Sequence, residues 1–374
     1  MPRLTRRALL AGLAAAFASP AKAARSPPAL GAIRWDAWYA PGSIPTEAMV
    51  RSLSPPEFRH RAPFFAEVPP GAAPLRFPAA SQAAMDREIA LASGAGLDFW
   101  AFVTYPPGSG LTEAFRLYRA STLRPRPRFC LITEARRLRP EGGPLHEHPP
   151  LLADPDYQGT ADGRPIYLIG FLSEALIAGW GGIAPLRAAL DAFRRRVRTA
   201  GAANPCLVLM TPDIGQARRW APTLGFDALS AYAWQDGARQ APYAALARLA
   251  ERGWSRQAAL GMPVIPTAMS GWDRRPRVAN PVPWEDLQRP GLGADRHYAA
   301  PRPAELTAHL RRAVAFAATQ PLRLALAYAW NEHDEGGWLQ PTQPDDRSRL
   351  RALRAALCRP QPAEACLRLP APGP

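Results

Sequence analysis

Eight short apolar runs, each bounded by turn residues, recur along the 374-residue chain, and no other feature constrains its fold as strongly. They span residues 33–40, 97–105, 128–133, 165–171, 205–211, 226–232, 262–270 and 322–330. Most are near-continuous rather than alternating, which suits strands covered on both faces. Between them lie segments with apolar residues three and four apart, clearest at 81–94, 184–200, 240–252 and 303–319, and this spacing predicts amphipathic helices. Pro303 followed by Ala304-Glu305 suits a helix entry. Eight strands alternating with helices predict a single-domain α/β fold, a closed (β/α)8 TIM barrel. An open doubly wound sheet would fit the same order. However, neither G-x-G-x-x-G nor G-x-x-x-x-G-K-[ST] stands where the first strand meets a helix. The long loops 51–78, 136–163 and 271–303 all follow strands, on the side where barrels build active sites.

The N-terminus reads as an address. Thr5-Arg6-Arg7-Ala8-Leu9-Leu10 is a twin-arginine run opening an apolar stretch, and Ala21-Lys22-Ala23 suits signal cleavage. The stretch is shorter than the about 20 residues a bilayer span needs, and no later segment is long and apolar enough. The expected organisation is a signal peptide at 1–23, a barrel at 24–345, and a C-terminal helix with a Pro-rich tail at 346–374. The mature chain is then expected to be periplasmic or secreted, with no integral membrane span.

The formal net charge is +15. Removing residues 1–23 takes away four basic side chains and no acids, leaving 42 against 31, or +11. The positive charge is dispersed and lacks an aromatic-interleaved basic stripe, so no nucleic-acid partner is expected. Cys358 and Cys366 are eight apart in the Pro-rich tail and are expected to pair in an exported protein, whereas Cys130 and Cys206 sit in apolar runs as buried thiols. No Cys/His spacing resembles a metal site. His146-Glu147-His148 places its histidines too close in sequence to share a helical face, so neither metal nor cofactor is expected. No G-x-S-x-G elbow supplies an acyl-transfer nucleophile.

The chemistry concentrates in Tyr328-Ala329-Trp330-Asn331-Glu332-His333-Asp334-Glu335-Gly336-Gly337-Trp338, which follows the last apolar run. Glu332 and Glu335 are three apart, so a helical turn there would point both carboxylates toward the barrel mouth. Two such carboxylates can divide the labour of glycoside chemistry, one ionised and one protonated. Trp330 and Trp338 offer flat faces for a sugar ring, and Asn331 can bond a hydroxyl or orient a carboxylate.

The pattern Trp330-Asn331-Glu332-x-x-Glu335-Gly336-x-x-Leu339-x-Pro341 resembles the W-N-E-W-x-E-G-x-x-L-E-P signature of the glycoside hydrolase family 99-like, WbsX-like proteins, a group that includes endo-acting α-mannosidases. Ala37-Trp38-Tyr39, residues 96–102 and the stretch Ser270-Gly271-Trp272-Asp273-Arg274-Arg275-Pro276-Arg277 resemble further family elements in the same order, so the likeness covers roughly residues 31–345. The resemblance implies a (β/α)8 barrel that hydrolyses an α-linked sugar with retention. It implies that Glu332 is the base acting on the sugar's own 2-hydroxyl and Glu335 the general acid/base. The chain departs from the signature at His333, which stands where the family has Trp, and at Gln340, which stands for Glu; Asp334 adds a third acid.

Asp36, Trp38 and Tyr39 near the first strand end, Trp100 and Tyr105 around the second, Trp234 after the sixth, and Trp272 and Asp273 after the seventh complete the expected carbohydrate contacts, together with His333 inside the signature. Two other functions fit a barrel of this kind: surface-polysaccharide biosynthesis or modification, and non-catalytic carbohydrate binding. Export and the missing diphosphate-binding motif count against the first; His333 and Gln340 lend weight to the second.

Overall fold

The computed structural model describes residues 27–71, 73–78, 81–284 and 293–358. The expected signal peptide and Cys366 lie outside these residues. Cys358 is disulfide-bonded, and Cys130 and Cys206 are free and buried.

Eight parallel strands form one sheet: β1 (Ala29–Arg34), β2 (Phe99–Val103), β3 (Arg128–Glu134), β4 (Ile166–Gly170), β5 (Cys206–Met210), β6 (Ala228–Ser230), β7 (Thr267–Met269) and β8 (Leu324–Tyr328). Their order is β6-β5-β4-β3-β2-β1-β8-β7. The ends meet through Leu229, whose N–H donates to the Pro263 carbonyl at 2.9 Å and whose carbonyl accepts from Ile265 at 2.9 Å. This is the (β/α)8 barrel that the alternating runs predict. Each apolar run overlaps its strand, but the first strand ends at Arg34, so residues 35–40 of the 33–40 run are loop. Asp36, Trp38 and Tyr39 therefore belong to the β1 loop. Its aromatic residues are apolar because the loop packs inward, with Trp38 1% exposed.

The longer outer helices are α1 (Ile44–Leu53), α2 (Gln82–Gly94), α3 (Glu113–Ala120), α4 (Ile183–Thr199), α5 (Ile214–Leu224), α6 (Tyr243–Ala258), α7 (Pro303–Thr319) and α8 (Ser348–Leu357). Local chemistry sets their ends. Ser81 caps α2 by accepting from Ala84 N–H, Asp213 caps α5 by accepting from Gly215 and Gln216, and Gly225 closes α5 in the left-handed conformation. Helix α8 turns Leu350 and Leu353 inward, and the Ala352 carbonyl accepts from the Thr307 hydroxyl of α7. Among the described residues, no helix is long and apolar enough to cross a membrane.

Small residues let the barrel close on large ones. Gly31 of β1 lies against Phe99, where any Cβ would overlap the phenyl ring. The chain leaves β8 into a two-stranded hairpin, Asn331–Glu332 against Gly337–Trp338, bridged by a 3-10 turn at His333–Glu335. Gly336 ends that turn at φ 83°, and a Cβ there would strike the Asp273 backbone. The hairpin is thereby pressed against the β7 loop.

Candidate active site

The hairpin turn brings three acids onto one arginine. Arg277, in the short helix Arg275–Ala279, donates from Nε to Asp334 Oδ2 at 2.6 Å and from Nη2 to Asp334 Oδ1 at 3.1 Å. Its Nη1 contacts Glu335 Oε1, and its Nη2 stands 3.5 Å from Glu332 Oε2. Two tyrosine hydroxyls complete the shell. Tyr232 donates to Glu332 Oε1 at 2.6 Å, and Tyr328 donates to Glu335 Oε2. Arg274 Nε lies 3.4 Å from Glu335 Oε1.

These partners split the two glutamates electrically. Burial pushes the Glu332 carboxyl well up, and repulsion from Glu335 adds to it against the pull of Arg277. Burial acts on Glu335 too, but Arg277 and then Arg274 outweigh it and hold that carboxyl down. The two carboxyls are thus biased in opposite directions, up at Glu332 and down at Glu335. Unequal pairs of this kind are what acid/base division requires.

Both carboxylates line a cavity of about 560 Å³ at the C-terminal end of the strands, a volume typical of small-ligand sites. Trp35, Tyr105, Phe171, Tyr232, Trp272 and Trp284 supply its aromatic walls, and Glu134 and Arg136 stand on the β3 side. The Trp35 indole N–H donates to the Tyr105 hydroxyl at 2.7 Å, which fixes two walls to each other. A larger cavity, about 1120 Å³, lies at the opposite end, lined by strand-start residues such as Ala29, Arg128 and Leu324. That face of a barrel serves stability.

Of the residues expected from sequence, Glu332, Glu335, Tyr105 and Trp272 line the 560 Å³ cavity. The others stand behind its wall. Asn331 accepts from Trp35 N–H at 2.9 Å and donates to Asp36 at 2.9 Å, which ties the hairpin to the β1 loop and leaves no hydroxyl contact to a ligand. Asp36 pairs with Arg34, and Trp330 donates to Glu88 at 2.7 Å. Tyr39 is hydrogen-bonded to the same Glu88, and Trp100 lies under Arg34 at 4.5 Å. Trp38 packs against Phe65, Phe77 and His333. Trp234 fills the space over Gly253, where a Cβ would overlap its ring. Asp273 and Trp338 line a separate cavity with Arg61. All are buried, and their energy comes from packing and hydrogen bonds inside the fold.

His333 and Gln340, the two departures from the signature, touch each other: His333 Nε2 and Gln340 Oε1 are 3.0 Å apart. The His333 Nδ1 bonds the Arg61 carbonyl at 2.6 Å, and its ring stacks on Trp338 at 5.5 Å. Burial pushes this imidazole down to about 3, so it is neutral at working pH. The two departures lie side by side away from the cavity.

Sequence reasoning did not single out Tyr232, Arg277, Arg274, Tyr328 or Glu134 as site residues. Glu134 and Tyr232 did carry a signal, because each sits at the C-terminal end of a strand run. Arg277 had none beyond its place in the Trp272–Arg277 stretch; its partner Asp334 is 57 positions away.

No family model matches the chain, and no curated protein matches it. Among solved structures it is similar to the GH99 endo-α-mannosidase from Bacteroides thetaiotaomicron in complex with BIS-TRIS-propane, at 14% identity and a TM-score of 0.53, over 87% of this chain and 95% of that one. A second structure of that enzyme gives 14% identity and a TM-score of 0.52 over the same shares. The likeness at this identity is one of fold, and it places the chain on the same (β/α)8 barrel as a GH99 endo-α-mannosidase.

Proposed function

We propose that the chain is an exported glycoside hydrolase acting on an α-linked, mannose-like polysaccharide or glycan, with Glu332 and Glu335 as its catalytic carboxylates. One observation carries this reading: two buried glutamates with opposite electrostatic bias share the wall of an aromatic cavity. Aromatic faces hold sugar rings by apolar contact, and the pair supplies one proton and one negative charge where a glycosidic oxygen must be protonated. The substrate class and the retaining course are those the motif resemblance implies, and the barrel shared with an endo-α-mannosidase supports that reading.

In that course Glu332 takes a proton from the sugar 2-hydroxyl while Glu335 protonates the leaving oxygen. The environment biases the pair the other way, up at Glu332 and down at Glu335, so contacts with substrate have to reverse that bias. A hydroxyl donating to Glu332 favours the ionised form there, and a leaving oxygen near Glu335 receives the proton. Arg277 is bidentate on Asp334, so the third acid anchors the arginine between the two glutamates.

A panel of α-mannans and bacterial exopolysaccharides tests the reaction, with Glu335→Gln and Glu332→Gln alongside wild type. Product release abolished by either change is the expected result. An activated aryl glycoside, which needs no leaving-group protonation, assigns the roles: it should restore first-step release of the aryl group to Glu335→Gln and not to Glu332→Gln, while the second, hydrolytic step still needs Glu335 as base. Restoration of Glu332→Gln alone would reverse them.

The second reading, a non-catalytic carbohydrate-binding barrel, draws on the ion pairs that Arg277 and Arg274 make with Glu335. Glycan binding by wild type and both variants, with no cleavage by any, would establish it.

A further inference from the structure

Trp272 has cavities on both sides. Beyond the 560 Å³ cavity, it also lines one of about 480 Å³ behind the hairpin, together with His60, Arg61, Asp273, Arg275 and Arg349. Arg349, in the first turn of α8, is only 9% exposed. Its Nη1 donates to the carbonyls of Ser270 at 2.9 Å, Gly336 at 3.3 Å and Trp338 at 3.2 Å. Its guanidinium lies 3.4 Å over the Trp338 ring. Among the described residues no carboxylate forms an ion pair with it; Asp346 acts on it only at a distance. The one buried carboxylate of this cavity, Asp273, is already taken by Arg61 and by Arg275, whose Nε and Nη2 donate to it at 2.9 Å and 2.7 Å. Among the described residues Arg61 Nε has no hydrogen-bond acceptor.

Among the described lining residues, three guanidiniums thus stand against one buried carboxylate, and the other acid, Glu57, is exposed at the rim. Burial, and then Arg61, pushes the Arg349 guanidinium down to about 9, so it stays a cation at neutral pH while carrying the cost of uncompensated charge. An anion in the cavity offsets that cost, and guanidinium forks suit planar carboxylates and tetrahedral oxyanions.

We propose that this cavity binds an oxyanion group carried by the glycan, a uronate carboxylate or a sulfate or phosphate ester, through Arg349, Arg61 and Arg275. The assignment to a glycan rests on reading the neighbouring cavity as a sugar site; the two cavities share Trp272 as a lining residue. The substrate class this implies is an acidic polysaccharide.

Calorimetric titration of the full chain with sodium sulfate, at constant ionic strength, tests the anion site without any turnover. Parallel titrations compare a uronate-containing oligosaccharide with a neutral one of equal length. Sulfate binding is expected, weakened about tenfold or more in Arg349→Met and several-fold in Arg275→Ala, in line with charged hydrogen bonds. The uronate oligosaccharide is expected to bind more tightly than the neutral one, and that preference should vanish in both variants. Arg349 also holds the hairpin, so Arg275→Ala decides the matter if Arg349→Met does not fold. Absent sulfate binding, or binding unchanged in Arg275→Ala, overturns the site. Sulfate binding without a uronate preference overturns its assignment to the glycan. Because sulfate is read in the absence of cleavage, failure of hydrolysis leaves this result standing.

Discussion

Two arginines at the mouth of the barrel are each bracketed by acids, yet only one of these clusters opens onto a cavity. Arg277 gathers Glu332, Asp334 and Glu335 on the hairpin beside aromatic walls. Arg34 gathers Asp36 and Glu88 beneath it, at 2.8 Å in each case, between Trp100 and the Trp330 and Tyr39 donors. The chemistry of the groups is nearly the same, and so is their burial. The difference is access: Trp330, Trp100 and Tyr39 seal the second cluster, whereas the first shares its wall with a volume large enough for a sugar. Carboxylates near a guanidinium therefore mark a site only where a ligand can reach them, and the sealed cluster serves as scaffolding. Trp330-Asn331 links the two, so Arg34 and its acids hold the strand end that presents Glu332.

The largest expected contrast lies in turnover. Glu335→Gln should lower kcat by about 10²–10⁴-fold, the usual range for loss of a general acid or base, measured as sugar release. Glu88→Gln in the sealed cluster should leave kcat within about tenfold, because Glu88 meets no substrate. Equal losses from both would erase the distinction between the clusters.

Next in size is stability at the open cluster. Arg277→Met leaves three carboxylates facing a buried site without their main cation and should cost about 3–5 kcal/mol by urea unfolding. A cost under about 1 kcal/mol would show that the acids simply take up protons.

The sealed cluster should show itself in pH dependence. Burial, opposed by Arg34, pushes the Glu88 carboxyl up to about 7. A carboxyl raised in the folded state binds its proton more tightly there than in the unfolded chain. Its contribution is therefore full at low pH and lost as pH rises from its unfolded value, near 4.5, to about 7. That loss is about 3 kcal/mol, and Glu88→Gln should remove it from the slope of unfolding free energy between about pH 4.5 and 7. An unchanged slope would mean that Arg34 keeps Glu88 ionised throughout.

The smallest effect concerns the cavity rim. Phe171 is 58% exposed, holds a left-handed φ of 59° and packs on Tyr232 at 5.4 Å. Such strain costs of order 1 kcal/mol and tends to persist where function requires it. Phe171→Gly should relieve the strain, leave stability within about 1 kcal/mol of wild type, and raise KM several-fold with kcat kept. An unaltered KM would place the sugar elsewhere in the mouth.

The apolar runs and the three- and four-residue spacing were enough to predict the barrel, because strand and helix periodicities are local properties written every few residues. The same local logic put Glu332 and Glu335 at the end of the last strand. It did not show the burial of the tryptophans: a Trp near a strand end reads as a sugar platform, and Trp38, Trp100, Trp234 and Trp330 are each buried in packing that no short window reveals. Neither could it show that His333 and Gln340 answer each other, since the 3-10 turn that brings them together is a matter of conformation.

What the sequence alone determined is the architecture, with a pair of carboxylates at its mouth. Only the tertiary structure decided which residues meet them. Tyr232 reaches Glu332 across 100 positions, Arg277 reaches Asp334 across 57, and Glu88 reaches Trp330 across 242. Partners this distant are chosen by barrel closure and by the backbone contact at Gly336, and electrostatic bias follows from the distances so created rather than from residue order.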